Sequence, residues 1–188
     1  MTTVAGLVLA AGAGRRYGMP KALVRLGGRL LVESTVDVLR AAGCTPVIVV
    51  VGAQARRVRR ANLGDALITE NPDWPTGMGS SLRSGLTAAA GSDATAAAVL
   101  PVDLPGMTPE AVRRVTAFAD AEALVAASYH GVRGHPVLLG RAHWHGVCDL
   151  ALGDSGAREY LRRHEVVEVP CEDVASGRDV DRPTDLPR

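Results

Sequence analysis

Leu7-Val8-Leu9-Ala10-Ala11-Gly12-Ala13-Gly14-Arg15-Arg16-Tyr17-Gly18-Met19-Pro20-Lys21 decides how this chain reads. The apolar run Val4–Ala10 has the composition of a buried strand and feeds directly into glycines at 12, 14 and 18. Glycines let the backbone approach a ligand closely, and successive N–H groups can converge on an anion. Arg15, Arg16 and Lys21 supply positive charge. A strand, a glycine loop and cations in this order suit the phosphates of a nucleotide. Lys21 carries an internal control: the chain has 21 Lys plus Arg, and Lys21 is its only lysine. Where every other basic position is arginine, a compact ammonium kept inside a glycine loop points to a chemical need for it.

Outward from this stretch, the 188 residues suit one domain spanning 1–188, long enough for a substantial core. Aromatic residues make up only 3% of the chain, so that core must be built from Val, Leu and Ala. A net charge of +1 gives no general attraction for nucleic acid or membrane. Cys44, Cys148 and Cys171 lack metal-type spacing, and their odd number favours reduced thiols and a cytoplasmic setting. Met1-Thr2-Thr3 has no basic n-region, so no signal peptide is expected. No apolar run approaches the roughly 18 residues of a membrane helix.

Strand-like and helix-like segments alternate. Residues 30–42 have apolar positions at helical spacing and end at Gly43, a C-cap signal. Residues 46–51 are β-branched on every face, as in a buried parallel strand. A helix at 54–61, a short strand at 66–69 and a loop at 71–77 follow. Residues 79–90 read as a helix with Gly79, Ser80 and Ser81 at its start. A small-residue strand at 95–100 ends in Pro101-Val102-Asp103-Leu104-Pro105. Thr108 caps a helix running to Phe118, with Pro109 at its first position. Strands at 124–128 and 136–139 flank a polar, glycine-bearing turn at 129–135. Helices at 141–151 and 155–163, a strand at 166–169 and a turn-rich tail from Gly177 complete the chain. The order predicts a three-layer α/β/α sandwich with a mainly parallel, Rossmann-like sheet. Ligands of such folds bind at the carboxyl ends of the strands, where the glycine loop, Asp103 and residues 77–81 all fall.

Two common phosphate loops do not match. A Walker loop needs Lys-Ser/Thr directly after glycine, whereas Met19-Pro20 intervenes here and Ala22 follows Lys21. A dinucleotide fingerprint needs G-x-G-x-x-G, and Gly12-x-Gly14-x-x-x-Gly18 is one residue too long. The stretch instead resembles the L-A-A-G-x-x-x-R-M-G-x-P-K-x-L signature of the MobA-like nucleotidyltransferases, which build molybdenum-cofactor dinucleotides. The resemblance continues in order through Asn71-Pro72-Asp73-Trp74, Gly77-Met78-Gly79-Ser80-Ser81, Val102-Asp103-Leu104-Pro105, Arg133-Gly134-His135-Pro136-Val137 and Asp179-Val180-Asp181-Arg182-Pro183. It implies the fold of the nucleotide-diphospho-sugar transferases. The Gly-Met-Gly-Ser-Ser and Arg-Gly-His-Pro segments, and Ala10-Ala11-Gly12 in place of Ala-Gly-Gly, resemble the cytidylyltransferase branch. Tyr17 departs from the family's usual Met or Phe. The chain is also similar to actinobacterial proteins described as nicotine blue oxidoreductases, which implies an alternative: an NAD(P)H-dependent reductase on the same fold.

The resemblance implies transfer of a nucleotidyl group, CMP from CTP, to a phosphorylated acceptor such as molybdopterin, with release of pyrophosphate. Leu9, Ala10, Ala11, Gly12, Ala13, Gly14, Arg15 and Gly18 are then the nucleotide-binding loop. Lys21, Arg16 and Asp103 are the catalytic set, with Lys21 neutralising charge at the α-phosphate and the arginines gripping the triphosphate. Asp103, held between Pro101 and Pro105, is a candidate Mg²⁺ ligand, and Asp181 is the candidate second ligand; its competing role is to cap the tail. Gly79 would permit close approach of the ligand, with Ser80 and Ser81 beside it at the helix start, Ser81 near the base. Arg133 and His135 are candidates for the acceptor. His143 and His145 lie two apart on a helix and do not converge on a metal with Cys148. The arginines at 56, 57, 59 and 60 read as a solvated face. Trp74 reads equally as an exposed loop residue and as a lid.

Overall fold

The computed structural model describes residues 2–186. Strand β1 (Val4–Ala10) is buried along its whole length. Its side chains alternate between the sheet's two faces: Val4, Val8 and Ala10 join one apolar core, Ala5, Leu7 and Leu9 the other. After the glycine loop comes a small hairpin, β2 (Arg25–Leu26) and β3 (Arg29–Leu30), and then α1 (Leu31–Ala41). Strand β4 (Val47–Val51) follows, then the short helix α2 (Ala55–Val58), edge strand β5 (Leu67–Glu70) and α3 (Met78–Ala90). Next are β6 (Ala96–Pro101), α4 (Pro109–Thr116), β7 (Leu124–Tyr129) and β8 (Val132–Gly140). The chain closes with α5 (Trp144–Leu150), α6 (Arg158–Arg162) and β9 (Val167–Pro170).

Seven strands form the main sheet in the order β5-β4-β1-β6-β8-β7-β9. β1 pairs in parallel with both β4 and β6, and only β8 runs against its neighbours. Helices cover both faces, so the sandwich is α/β/α with a mainly parallel sheet. The order reverses at β1, which leaves a crevice beyond the carboxyl ends of β1, β4 and β6. Small residues set the layer spacing: a Cβ at Gly85 of α3 would lie 3.1 Å from Val50, and one at Gly6 would lie 3.0 Å from Leu39. Among the described residues no helix is long and apolar enough to cross a membrane.

Several boundaries differ from the sequence expectation. The expected turn at 129–135 is only His130-Gly131. Both residues adopt the left-handed conformation (φ 53° and 77°) that a two-residue hairpin requires, and Tyr129 pairs directly with Val132. Arg133 and His135 therefore lie on β8. The helix expected at 155–163 begins only at Arg158, because a 3-10 turn at Gly153–Ser155 and a positive φ at Gly156 redirect the chain first. The helix expected at 54–61 is the single turn α2.

Candidate active site

β1 delivers its last residues into a loop that folds back on itself. Gly14 has φ +62°, and a Cβ there would collide with the Met19 carbonyl, so only glycine closes this turn. The Gly18 N–H donates to the Gly14 carbonyl at 2.8 Å. Pro20 then starts a 3-10 turn at Lys21–Leu23 that returns Lys21 beneath the strand ends. A cavity of about 400 Å³ opens over this loop. Leu9, Ala11, Gly12, Ala13, Gly14, Arg15 and Arg16 line one wall and Lys21, Asp103 and Asp181 the floor. Ala10 and Gly18 are not part of the lining. Ala10 points into the opposite core, and Gly18 serves to close the loop.

The Lys21 ammonium donates to Asp103 Oδ2 at 2.9 Å and to Asp181 Oδ1 at 2.7 Å. Asp103 stands two residues beyond β6, where the Val102 N–H still donates to the Leu9 carbonyl. The tail is bound to the same turn, since the Val180 N–H donates to the Asp103 carbonyl at 2.9 Å. Asp181 also accepts from Arg16 Nη1 at 2.8 Å, but the Arg16 side chain is 76% exposed against 15% for Lys21. Burial pulls the Lys21 pKa down, yet the hydrogen bonds to Asp181 and Asp103 outweigh it and hold the ammonium above its ordinary range. The hydrogen bond from Lys21 in turn lowers the Asp181 carboxyl below its ordinary value. Arg15 makes no hydrogen bond or ion pair among the described residues and faces the cavity.

Asp103, Asp179 and Asp181 each bring a carboxylate oxygen to within 4.8 Å of one another. Three oxygen donors at the mouth of the glycine loop fit a hard divalent cation. Asp179 was not singled out from the sequence, although a signal for it exists. In Asp179-Val180-Asp181 the two carboxylates alternate with an apolar residue, and they converge while Val180 is buried.

The start of α3 forms the far wall and divides its two serines. Ser81 lines the cavity, and its Oγ accepts from Asn71 Nδ2 at 3.1 Å. Ser80 faces inward. It accepts from the same amide at 2.8 Å, and the carbonyls of Asp73 and Gly77 lie 2.9 Å from its hydroxyl, so it has no contact with the cavity. Gly79 does not make room for a ligand. A Cβ there would run into the Ala151 carbonyl, so glycine is required by packing against the 151–154 turn. Trp74 lines the cavity and rests on Gly52, where a Cβ would lie 2.7 Å from its Cβ and Cγ. Asp154, unnoticed in the sequence, reaches the same wall and accepts the Met78 N–H at 3.3 Å.

Arg133 and His135 are not in this cavity. They line a second one, of about 500 Å³, and Leu9 and Met78 border both. Burial pushes the His135 imidazole down to about 4, so it is neutral at pH 7; nearby Asp103 opposes the shift and Arg158 adds to it.

Comparison with known proteins sharpens this picture. The chain is 38% identical over 189 residues to the nicotine blue oxidoreductase of Paenarthrobacter nicotinovorans, covering 95% of this chain and 92% of that one. It is 30% identical to a molybdenum cofactor guanylyltransferase of Cereibacter sphaeroides, covering 97% and 93%. A crystal structure from Mycobacterium tuberculosis superposes with a TM-score of 0.80 at 29% identity over 98% and 96% of the two chains, and the same protein has been solved in complex with manganese. Residues 6–169 match the MobA-like NTP transferase domain, and the chain therefore belongs to the family of MobA-like nucleotidyltransferases.

Proposed function

We propose that this protein transfers CMP from CTP to a phosphorylated small-molecule acceptor, of which molybdopterin is the leading example, and releases pyrophosphate. The observation that carries the reading is the Lys21 ammonium shared by Asp103 and Asp181 under a glycine loop. In the reaction an acceptor phosphate oxygen attacks the α-phosphorus of CTP, a new P–O bond forms, and the bond to the β-phosphate bridging oxygen breaks. Asp103, Asp181 and Asp179 would hold Mg²⁺, which supplies charge neutralisation between the reacting phosphates. Lys21, relieved of its carboxylates, has three N–H donors for the charge that builds on the α-phosphate oxygens. Arg15 and Arg16 offer guanidinium forks to the departing pyrophosphate. The loop N–H groups orient the triphosphate, and Trp74 and Ser81 bound the space left for the base. The choice of cytosine rests on the likeness of Ala10-Ala11-Gly12 to the cytidylyltransferase branch; the guanylyltransferase relative makes GTP the competitor to test.

A second reading, an NAD(P)H-dependent reductase, is supported by the nicotine blue oxidoreductase relative, which matches nearly end to end. A melting-temperature panel of CTP, GTP, ATP and NADPH, each with and without Mg²⁺, separates the two, because a ligand bound to the native state raises the melting temperature by mass action. Mg²⁺-dependent stabilisation by CTP, with pyrophosphate release that Asp103→Ala abolishes, is the expected result. Metal-free oxidation of NADPH that survives Asp103→Ala would overturn it in favour of the reductase.

A further inference from the structure

The second cavity has a floor of Leu82, Val99, Val137 and Leu161 and a rim of arginines. Two of those arginines have carboxylate partners, although Arg162 shares Glu159 with Arg163. Arg133 donates through Nε and Nη2 to Glu168 Oε1 at 3.1 and 2.8 Å, and Arg162 donates through the same two nitrogens to Glu159 at 3.1 and 2.9 Å. Arg158 lines the cavity too, yet it has no hydrogen-bond or ion-pair partner among the described residues. Exposed at the cavity's rim, Arg158 is, with His135 neutral, the one lining cation without a carboxylate partner among the described residues, and it offers a planar fork with five N–H donors. Gly153 and Gly156, with φ of 53° and 52°, bend the chain between α5 and α6 immediately before Arg158.

An apolar floor of this size with one uncompensated guanidinium is built for a particular ligand chemistry. We infer that the second cavity binds an amphipathic anion, its apolar body on Leu82, Val99, Val137 and Leu161 and its anionic group on Arg158. That this anion is the acceptor rests on the nucleotidyl-transfer reading; the cavity's ligand chemistry rests on its lining alone. Because Leu9 and Met78 border both cavities, one molecule can extend from one into the other. The attacking phosphate must enter the first cavity. The acceptor therefore carries a second anionic group at the far end of an apolar body, and Arg158 selects for it.

Two dyes that share a ring system test this on the full chain. 1-Anilinonaphthalene-8-sulfonate carries an anionic group and N-phenyl-1-naphthylamine does not. Fluorescence titration is expected to show Arg158→Ala weakening the sulfonated dye by tenfold or more and the neutral dye by less than twofold. Arg162→Ala, which removes a matched arginine, should change neither by more than twofold. Leu161→Trp, which fills the cavity, should remove both. An unchanged sulfonate affinity in Arg158→Ala, or an equal loss of both dyes, overturns the anion clamp. Arg158→Gln repeats the measurement should Arg158→Ala lower the melting temperature. Dye binding that survives Leu161→Trp in a folded protein places the dye elsewhere and overturns the inference. The expected dye pattern without CTP-dependent pyrophosphate release upholds the cavity's ligand chemistry and counts against nucleotidyl transfer.

Discussion

Lys21 and Asp181 stand 160 positions apart, and the ammonium of one donates to the carboxylate of the other at 2.7 Å. This contact fastens the tail across the glycine loop. It also sets up a competition, because the oxygens that hold Lys21 are the ones a divalent cation would use. Lys21→Gln is expected to separate the two roles. Mn²⁺ binding, followed by electron paramagnetic resonance, should tighten severalfold because the competing ammonium is gone. CTP-dependent pyrophosphate release should fall by about 10² or more. Weaker Mn²⁺ binding in the variant would contradict the competition.

Asp181 is held in place by Asp185. One Asp185 oxygen, Oδ2, accepts the N–H groups of Asp181 and Arg182 at 3.1 and 2.8 Å. Asp185→Ala removes this cap, at a local cost of about 1 kcal/mol. The expected signature is a severalfold higher Mg²⁺ concentration at half-maximal rate, with the rate at saturating Mg²⁺ close to wild type. Asp181→Ala, which removes the ligand itself, should not recover at any Mg²⁺ concentration.

Asn71 ties the loop after β5 to the start of α3 in the far wall of the first cavity. Its buried amide donates to Ser80 and Ser81 and accepts the Asp73 N–H at 3.0 Å. Asn71→Ala leaves these groups without partners and should cost about 1–3 kcal/mol, read from urea unfolding. Because Trp144 is buried and Trp74 faces the cavity, the variant should also alter the fluorescence change on adding CTP with Mg²⁺. Gly79→Ala is a useful contrast: it should lower stability through the Ala151 carbonyl while nucleotide affinity in the folded fraction stays near wild type.

His135 makes stability depend on pH in a defined window. Its folded-state value is about 4, against an ordinary 6.5, so between those values the unfolded chain binds a proton that the folded chain does not. Stability is therefore fully present above about pH 6.5 and declines as pH falls towards 4, by at most about 3 kcal/mol. His135→Gln should flatten the melting-temperature profile over this window only. The depressed carboxyl of Asp181 acts at lower pH, since its stabilisation is lost as pH falls below the ordinary carboxylate range.

What the chain's order could establish was local. An unbroken apolar run before glycines specifies a buried strand and a loop, because burial on both faces and tolerance of positive φ belong to the residues themselves. The same holds for Thr108, whose Oγ accepts the Ala111 N–H at 3.3 Å as a helix cap should. Lys21 and Asp103 are legible as candidates because each directly follows such a segment, and Ser81 because it lies in the first turn of a helix. Helix phase is harder to read: Ser80 and Ser81 both accept from Asn71, yet one position turns Ser80 inward to the Asp73 and Gly77 carbonyls and Ser81 to the cavity.

By itself, then, the sequence determined the sandwich, the glycine loop at the end of its first strand and the candidate residues around it. Only the tertiary structure decided that Asp181 from the tail meets Lys21 with the Asp179 carboxylate close by, that Gly79 is small for packing, and that Arg158 is the unmatched charge of a second cavity. The physical reason is that these relationships join positions far apart in the chain. No local periodicity encodes them, and they form only when the sheet brings its carboxyl ends and the returning tail to one crevice.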